Sequence, residues 1–361
     1  MSTRWRIIDT GLRSAAENMA LNRALLEAHQ QGRIPNTLRF LQFRPAALVG
    51  YHQSVVQELQ EDYCRAQGVE IQRRITGGGA IYFDPGQLGW ELYFNRRDLG
   101  RAEMAGISAA ICEAAAAGLS KLGIAAQFRP RNDIEVEGRK ISGTGGVFDG
   151  DSVLFQGTVL VDFDIEAMLR VLRIPAEKLS AHAIASARER VTCLRTLLGT
   201  APDLAAVKGA LRQGFGEGLG LHFEQAGLSE AEEALFAQAL REIDDPEWIY
   251  LVDRPRQELP TLSVAYKAPG GLIRVEALVD DYKGRLAQIL FTGDFFVNPK
   301  RLIADLEAHL RNVRLDEVPG RIREFFASRE ADMMLLTPED FIHAFALLLE
   351  HREQAARQVG Q

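Results

Sequence analysis

"RRITGGGAIYFDPGQ", residues 73–87, places two arginines and three consecutive glycines inside a run that otherwise reads as β-strand. Glycine triplets weaken a strand and arginine pairs resist burial, so the stretch predicts a compensating partner from outside the chain. The flanking "VEIQ" and "AIYF" have strand character, which makes the glycines an interruption within a sheet. Consecutive glycines let backbone N–H groups converge and let a ligand approach where a Cβ would collide. Gly77, Gly78 and Gly79, with Thr76 in the same turn and Ala80 just beyond, are therefore candidate binding residues for a carboxylate or phosphate. A bulge or a tight sheet corner would use the same pattern, and no Gly-Lys-Ser/Thr follows to make a Walker loop. On a strand the arginines alternate sides, and Arg74 is the one expected to grip an anion in bidentate fashion.

Outward from this stretch, "WRIIDTG" reads as a first strand. "SAAENMALNRALLEAHQQG" reads as a helix opened by a Ser14/Glu17 capping box and closed at Gly32. "NTLRFLQF" and "AALVGYH" read as paired strands, "QSVVQELQEDYCRAQG" and "GISAAICEAAAAGLSKLG" as helices. Residues 125–164 form a predicted meander turning at Glu137-Gly138 and at Asp149-Gly150-Asp151. Strands and helices mixed without regular alternation predict an α/β (α+β) fold with a largely mixed or antiparallel sheet. Residues 165–227 read as mostly helical, and from about 260 a new cycle of three strands and three helices begins. The expected domains are 1–245 and 255–361, with Trp248 anchoring the junction.

The 361 residues carry a formal net charge of -7, which argues against a sequence-independent grip on a nucleic-acid backbone. Cys64, Cys112 and Cys193 are far apart and lack C-x-x-C pairing, which suits inert thiols in a reducing cytoplasm rather than a zinc or disulfide framework. "MSTRWRIIDTG" has no secretory h-region, and no segment approaches the roughly 18 uninterrupted apolar residues of a membrane span. The expectation is a cytoplasmic protein with no membrane and no nucleic-acid partner.

A second cluster lies in "RNDIEVEGRKISGTGG", residues 131–146. Lys140 there can neutralise charge growing on a phosphoryl or acyl oxygen, or be a solvated hairpin lysine. Asp133, beside Asn132, can hold Mg²⁺ or orient Lys140, although an Asn-Asp pair is also a common turn. Thr158 would sit on a strand near Lys140. His52 reads as a structural histidine, and no Cys-His or Ser-His-Asp spacing stands out.

"RRITGGGAIYFDPGQ", "RNDIEVEGRKISGTGG", "FQGTVLVDFD" and "KLSAHAIASARERVTCL", in this order, resemble the successive motifs of the lipoate-protein ligase A family over residues 14–200. The later stretch from Gly270 to Leu310, with its "GDFF", resembles that family's accessory C-terminal domain. The resemblance implies a biotin/lipoyl-ligase-like mixed-sheet catalytic domain and a smaller α+β C-terminal domain. It implies MgATP as cofactor and lipoate or octanoate as substrate, joined as an acyl-adenylate and passed to a lysine on a lipoyl carrier protein or lipoyl domain. Carried over by position, Lys140 is the catalytic lysine, and Arg74, Thr76, Gly77, Gly78, Gly79 and Ala80 hold the acyl-adenylate. Asn132, Asp133, Gly143 and Thr158 lie on its nucleotide side, with Asp133 the candidate metal ligand.

The chain departs from the family pattern at Phe83, Gln87, Gly145, Gly146 and Gln156, positions expected around the acyl and adenylate pocket, with a more open loop at Gly145-Gly146. Two competing readings remain. Related octanoyltransferases work through a cysteine thioester, and that cysteine would fall near Ala125. A non-catalytic carrier-binding homologue would have lost the lysine, whereas Lys140 is present.

Overall fold

A computed structural model of the protein opens with strand β1 (Arg4–Arg13) and the helix Ala15–Gln30 that the capping box predicts. Ser14 Oγ accepts from the Glu17 N–H at 3.1 Å, and the Glu17 carboxylate accepts from the Ser14 N–H at 2.9 Å. The structure describes residues 4–100, 103–130, 132–173, 189–253, 262–280 and 282–359. They form two compact units: Met1–Val49, Val55–Thr76 and Ala80–Ile249 make the first, and Gly50–Ser54, Gly77–Gly79 and Tyr250–Gln361 the second.

In the first unit the strands are β2 (Thr37–Phe43), β3 (Ala46–Val49), β4 (Glu70–Arg73), β5 (Ile81–Phe83), β6 (Gln87–Asn95), β7 (Ala126–Arg129), β8 (Asp133–Val136), β9 (Arg139–Asp149), β10 (Ser152–Leu160) and β11 (His222–Gln225). An eight-stranded mixed sheet runs β11-β1-β2-β6-β10-β9-β8-β7, and a separate small sheet runs β4-β3-β5. The predicted meander is its antiparallel half. Glu137 and Gly138 turn at φ 52° and 75°, which the flexible Gly and the short hairpin connection accommodate.

One face of the large sheet carries Trp90, Phe155, Phe40 and Phe94 beneath the helices Met104–Ser120 and Leu204–Leu219. Those helices meet glycine to glycine. A Cβ on Gly214 would lie 2.4 Å from the Ala114 carbonyl oxygen and 2.5 Å from the Gly118 Cα. In an open helix Gly→Ala gains stability, but here backbone stands in the way and the helices would have to part. Gly214→Ala should therefore destabilise the protein by about 1–3 kcal/mol. A thermal melt showing equal or greater stability would refute that reading of the contact.

Three local expectations change. "QSVVQELQEDYCRAQG" forms two short helices, Val55–Glu58 and Glu61–Gln67, rather than one. Within the stretch read as helical, His222–Gln225 is a strand paired in parallel with Arg4–Ile7, too short to announce itself against the helix before it. Gly145 and Gly146 are not an open loop: they lie in β9, paired with Gln156 and Phe155 of β10.

The second unit contains an antiparallel sheet of β12 (Leu262–Ala268), β13 (Gly271–Asp280) and β14 (Arg285–Gly293). The helices Leu302–His309, Val318–Ala327 and Pro338–Val359 accompany it, together with the two-residue pair β15 (Val297–Asn298) and β16 (Asp332–Met333). Its core gathers Ile273, Val275, Phe291, Phe295, Phe325 and Phe341.

Candidate active site

The meander brings most of the second motif to one place. Asp133 pairs with Gly143 across β8 and β9, and a register shift after Ile134 sets Glu135 opposite Lys140. The Lys140 amine folds back to lie 2.6 Å from Asp133 Oδ1. The contact is an ion pair without hydrogen-bond alignment. Both side chains remain partly exposed, which leaves the amine reachable by a ligand. The lysine stem crosses Gly143, where a Cβ would come within 2.9 Å of Cε and Nζ.

The Gly143 N–H donates to Thr158 Oγ1 at 3.3 Å, so Lys140, Asp133, Gly143 and Thr158 form one cluster. Asn132 secures its edge: the side-chain amide donates to the Thr144 carbonyl at 2.8 Å, and its own carbonyl accepts from the Thr144 N–H at 2.8 Å. The Lys140 carbonyl accepts from Thr192 N–H at 2.9 Å, which draws in the segment that follows residues 174–188. The motif stretch "KLSAHAIASAR", residues 178–188, lies among those residues, outside the described ones.

Thr76 joins through Gln156, two residues before Thr158 on β10, whose Nε2 donates to Thr76 Oγ1 at 3.0 Å. Arg74 is buried, and its guanidinium donates to the Leu48 carbonyl at 3.2 Å. Burial, reinforced by the neighbouring Arg73, pulls its pKa down to about 10, so it is still a cation at neutral pH. Arg73 is buried too, its Nε shared between the Trp248 and Ile249 carbonyls at 3.1 and 3.0 Å. The Trp248 indole donates back to the Arg73 carbonyl at 3.1 Å. The arginine pair is thus satisfied in part from within the chain, by backbone carbonyls that no sequence pattern announces.

Ala80 belongs to the first unit, just ahead of β5, while Gly77, Gly78 and Gly79 belong to the second by their contacts. Two of the family departures are buried. Phe83 stacks on Phe43 at 4.4 Å in a buried cluster with Leu41, Leu48 and Met19. Gln87 is buried and donates to the Tyr82 carbonyl at 3.1 Å, closing the β5–β6 connection. His52 is buried in the second unit, its ring stacked on Phe295 at 5.1 Å.

Sequence reasoning overlooked a buried polar row beneath the site. Arg39 of β2 pairs in register with Glu91 of β6, and Glu91 with Gln156 of β10. Arg39 Nη1 donates to Glu91 Oε2 at 2.9 Å, its Nη2 to Asn18 Oδ1 at 2.6 Å and its Nε to Thr10 Oγ1 at 3.0 Å. Asn22 and the Tyr93 hydroxyl also donate to Glu91. The available signal was a charge in the middle of each of two apolar strands, "NTLRFLQF" and "GQLGWELYFN", with Asn18 and Asn22 one helical turn apart.

All three cysteines are buried. Burial pushes the Cys64 and Cys112 thiols up to about 11. Among the described residues no group of three or more His, Cys, Asp or Glu could hold a metal ion, and no helix is long and apolar enough to cross a membrane.

This fold, a mixed α/β architecture with a second α+β unit, is that of the lipoate-ligase type. P. falciparum LipL1, solved in complex with lipoate, covers 96% of this chain and 99% of its own at a TM-score of 0.74, with 18% identity. A lipoate-protein ligase A bound with ATP covers 69% of the chain and 99% of its own at a TM-score of 0.61, with 26% identity. The octanoyltransferase LipM of Symbiobacterium thermophilum is 31% identical over 64% of this chain and 93% of its own length. Residues 14–216 match the lipoyl protein ligase A/B catalytic domain, and the chain belongs to that family of enzymes.

Proposed function

We propose that the protein is an ATP-dependent lipoate-protein ligase. In the first step a carboxylate oxygen of lipoate or octanoate attacks the α-phosphorus of ATP, giving acyl-AMP and releasing pyrophosphate. In the second, the ε-amine of a lysine on a lipoyl carrier protein or lipoyl domain attacks the acyl carbon, loses a proton and expels AMP. Lys140 compensates the charge that gathers on the α-phosphate and carboxyl oxygens, and Asp133 holds its amine until substrate arrives. Arg74, Thr76, the glycine loop with Ala80, and Asn132, Gly143 and Thr158 bind the adenylate.

The observation that carries this reading is the state of the thiols. Transfer through a thioester needs an accessible thiolate. Here residue 125 is alanine, Cys64, Cys112 and Cys193 are all buried, and burial keeps Cys64 and Cys112 protonated at neutral pH. Activation by ATP requires no such group. Asp133 fits Mg²⁺ as a single carboxylate toward an ion carried on the nucleotide's phosphates, which needs only one or two protein ligands. We read the second unit as the accessory domain, and the three free thiols fit a reducing, cytoplasmic setting.

The likeness to an octanoyltransferase favours a second reading, octanoyl transfer from an acyl carrier protein without ATP. One experiment separates them. The protein is incubated with octanoate or lipoate, ATP and Mg²⁺, or with octanoyl-acyl carrier protein alone, each with a lipoyl domain, and the products are weighed by mass spectrometry. Acylation that needs ATP and survives iodoacetamide treatment of the native enzyme is the expected result. Acylation from the carrier thioester alone, abolished by alkylation, would replace the ligase reading with the transferase one.

A further inference from the structure

We propose that the turn Gly293–Phe296 is the seat that shapes the glycine loop 77–79, with Asp294 and Phe296 as positioning residues for capture of the acyl substrate. The proposal rests on the function just given for the loop. A Cβ on Gly77 would lie 2.5 Å from the Phe295 carbonyl oxygen and 3.1 Å from the Phe296 ring. Gly78 has φ 95°, and its carbonyl oxygen lies only 2.1 Å from where a Cβ on Gly50 would be. Gly79 is in ordinary van der Waals range of Asp294, whose Cβ and Oδ2 would be 3.7 and 3.9 Å from an added Cβ. The loop is wedged between Gly50 on one side and residues 294–296 on the other, all within the second unit.

The seat is itself firmly built. The Asp294 carboxylate accepts from the Leu272 N–H, and its N–H donates to the Leu272 carbonyl at 3.3 Å. Lys267 lies 3.6 Å from the same carboxylate. The Gly293 N–H donates to the His52 carbonyl at 3.1 Å. Phe295 is fully buried between the His52 ring and Phe341, which it meets edge-on at 5.9 Å. The absence of a side chain at Gly77 is therefore required by the Phe295 backbone, and glycine at 78 is favoured by its positive φ. A loop held in shape by packing spends little conformational entropy when a substrate is captured. Loosening the seat returns that cost to the binding step and leaves the Lys140–Asp133 chemistry, in the first unit, as it was.

The test compares Asp294→Ala and Phe296→Ala with the conservative Phe296→Leu, in the full-length protein. Hydrogen–deuterium exchange at residues 76–80 should quicken in both alanine variants and stay near wild type in Phe296→Leu. The KM for octanoate should rise about tenfold in the alanine variants while kcat changes by less than about threefold. Unchanged exchange in both alanine variants would overturn the seat. Faster exchange with an unchanged KM would overturn its part in substrate capture. A merely structural role would lower the melting temperature and leave the KM of the folded enzyme alone. Should the wild type prove to use octanoyl-acyl carrier protein and not ATP, the ligase reading fails, and the same two readouts taken with that donor still decide the seat.

Discussion

Lys140→Ala is expected to lose acyl-adenylate formation by at least about 100-fold, the scale seen when one preorganised donor to a developing oxyanion is removed. The amine lies at the end of a strand-held stem, 2.6 Å from Asp133 and folded over Gly143, so its position is set before substrate arrives. On the ligase reading, its truncation leaves the α-phosphate charge uncompensated and Asp133 as a net negative charge beside an anionic substrate, both of which oppose the first step. Because the side chain is partly exposed, the variant should melt close to wild type. Lys140→Arg keeps the charge but not the compact geometry, and should recover activity only in part. ATP–pyrophosphate exchange driven by octanoate measures the step directly. Normal exchange in the alanine variant would remove Lys140 from the catalytic role.

The largest expected loss of stability lies elsewhere, at Glu91→Gln. Glu91 is the anion for a wholly buried Arg39, and Gln leaves that guanidinium without a counter-charge in a buried layer. Breaking one partner of such a pair costs about 3–5 kcal/mol. For a unit of this size that is on the order of a 10 °C drop in melting temperature. Tyr93 sharpens the effect: burial, reinforced by Glu91, pushes its phenol well above the ordinary value, so it stays a donor and needs the carboxylate as its acceptor. Replacing both charges, as in Arg39→Met with Glu91→Leu, should recover most of the loss, because the desolvation cost of the pair disappears with it. A Glu91→Gln melt within about a degree of wild type would show that the pair contributes nothing net.

Local chemistry was the legible part of the fold. Ser14 with Glu17 announced a helix, Glu137-Gly138 a hairpin, and the meander from 125 to 164 an antiparallel half-sheet, since each signal is a short-range rule of backbone geometry. Lys140, Asp133, Gly143 and Thr158 could be grouped in advance because two hairpins suffice to bring them together. What stayed hidden depended on distant partners. The carbonyls that accept from Arg73 come from Trp248 and Ile249, and the backbone that excludes a side chain from Gly77 comes from Phe295. The place of Phe83 and Gln87 in a motif did not announce the stacking on Phe43 or the bond to Tyr82 that hold them.

The row Arg39–Glu91–Gln156 also carries a consequence for how the sheet assembles. Strands β2, β6 and β10 are otherwise rich in interchangeable apolar side chains, and several alignments of such strands would bury similar area. A slip of one residue between β2 and β6 would set Arg39 against Trp90 or Leu92 and turn the guanidinium toward the aromatic layer. The row thus works as a checksum on alignment: wrong pairings are penalised by a stranded charge, and only the correct one satisfies all three strands, which together span Thr37 to Leu160 of the chain.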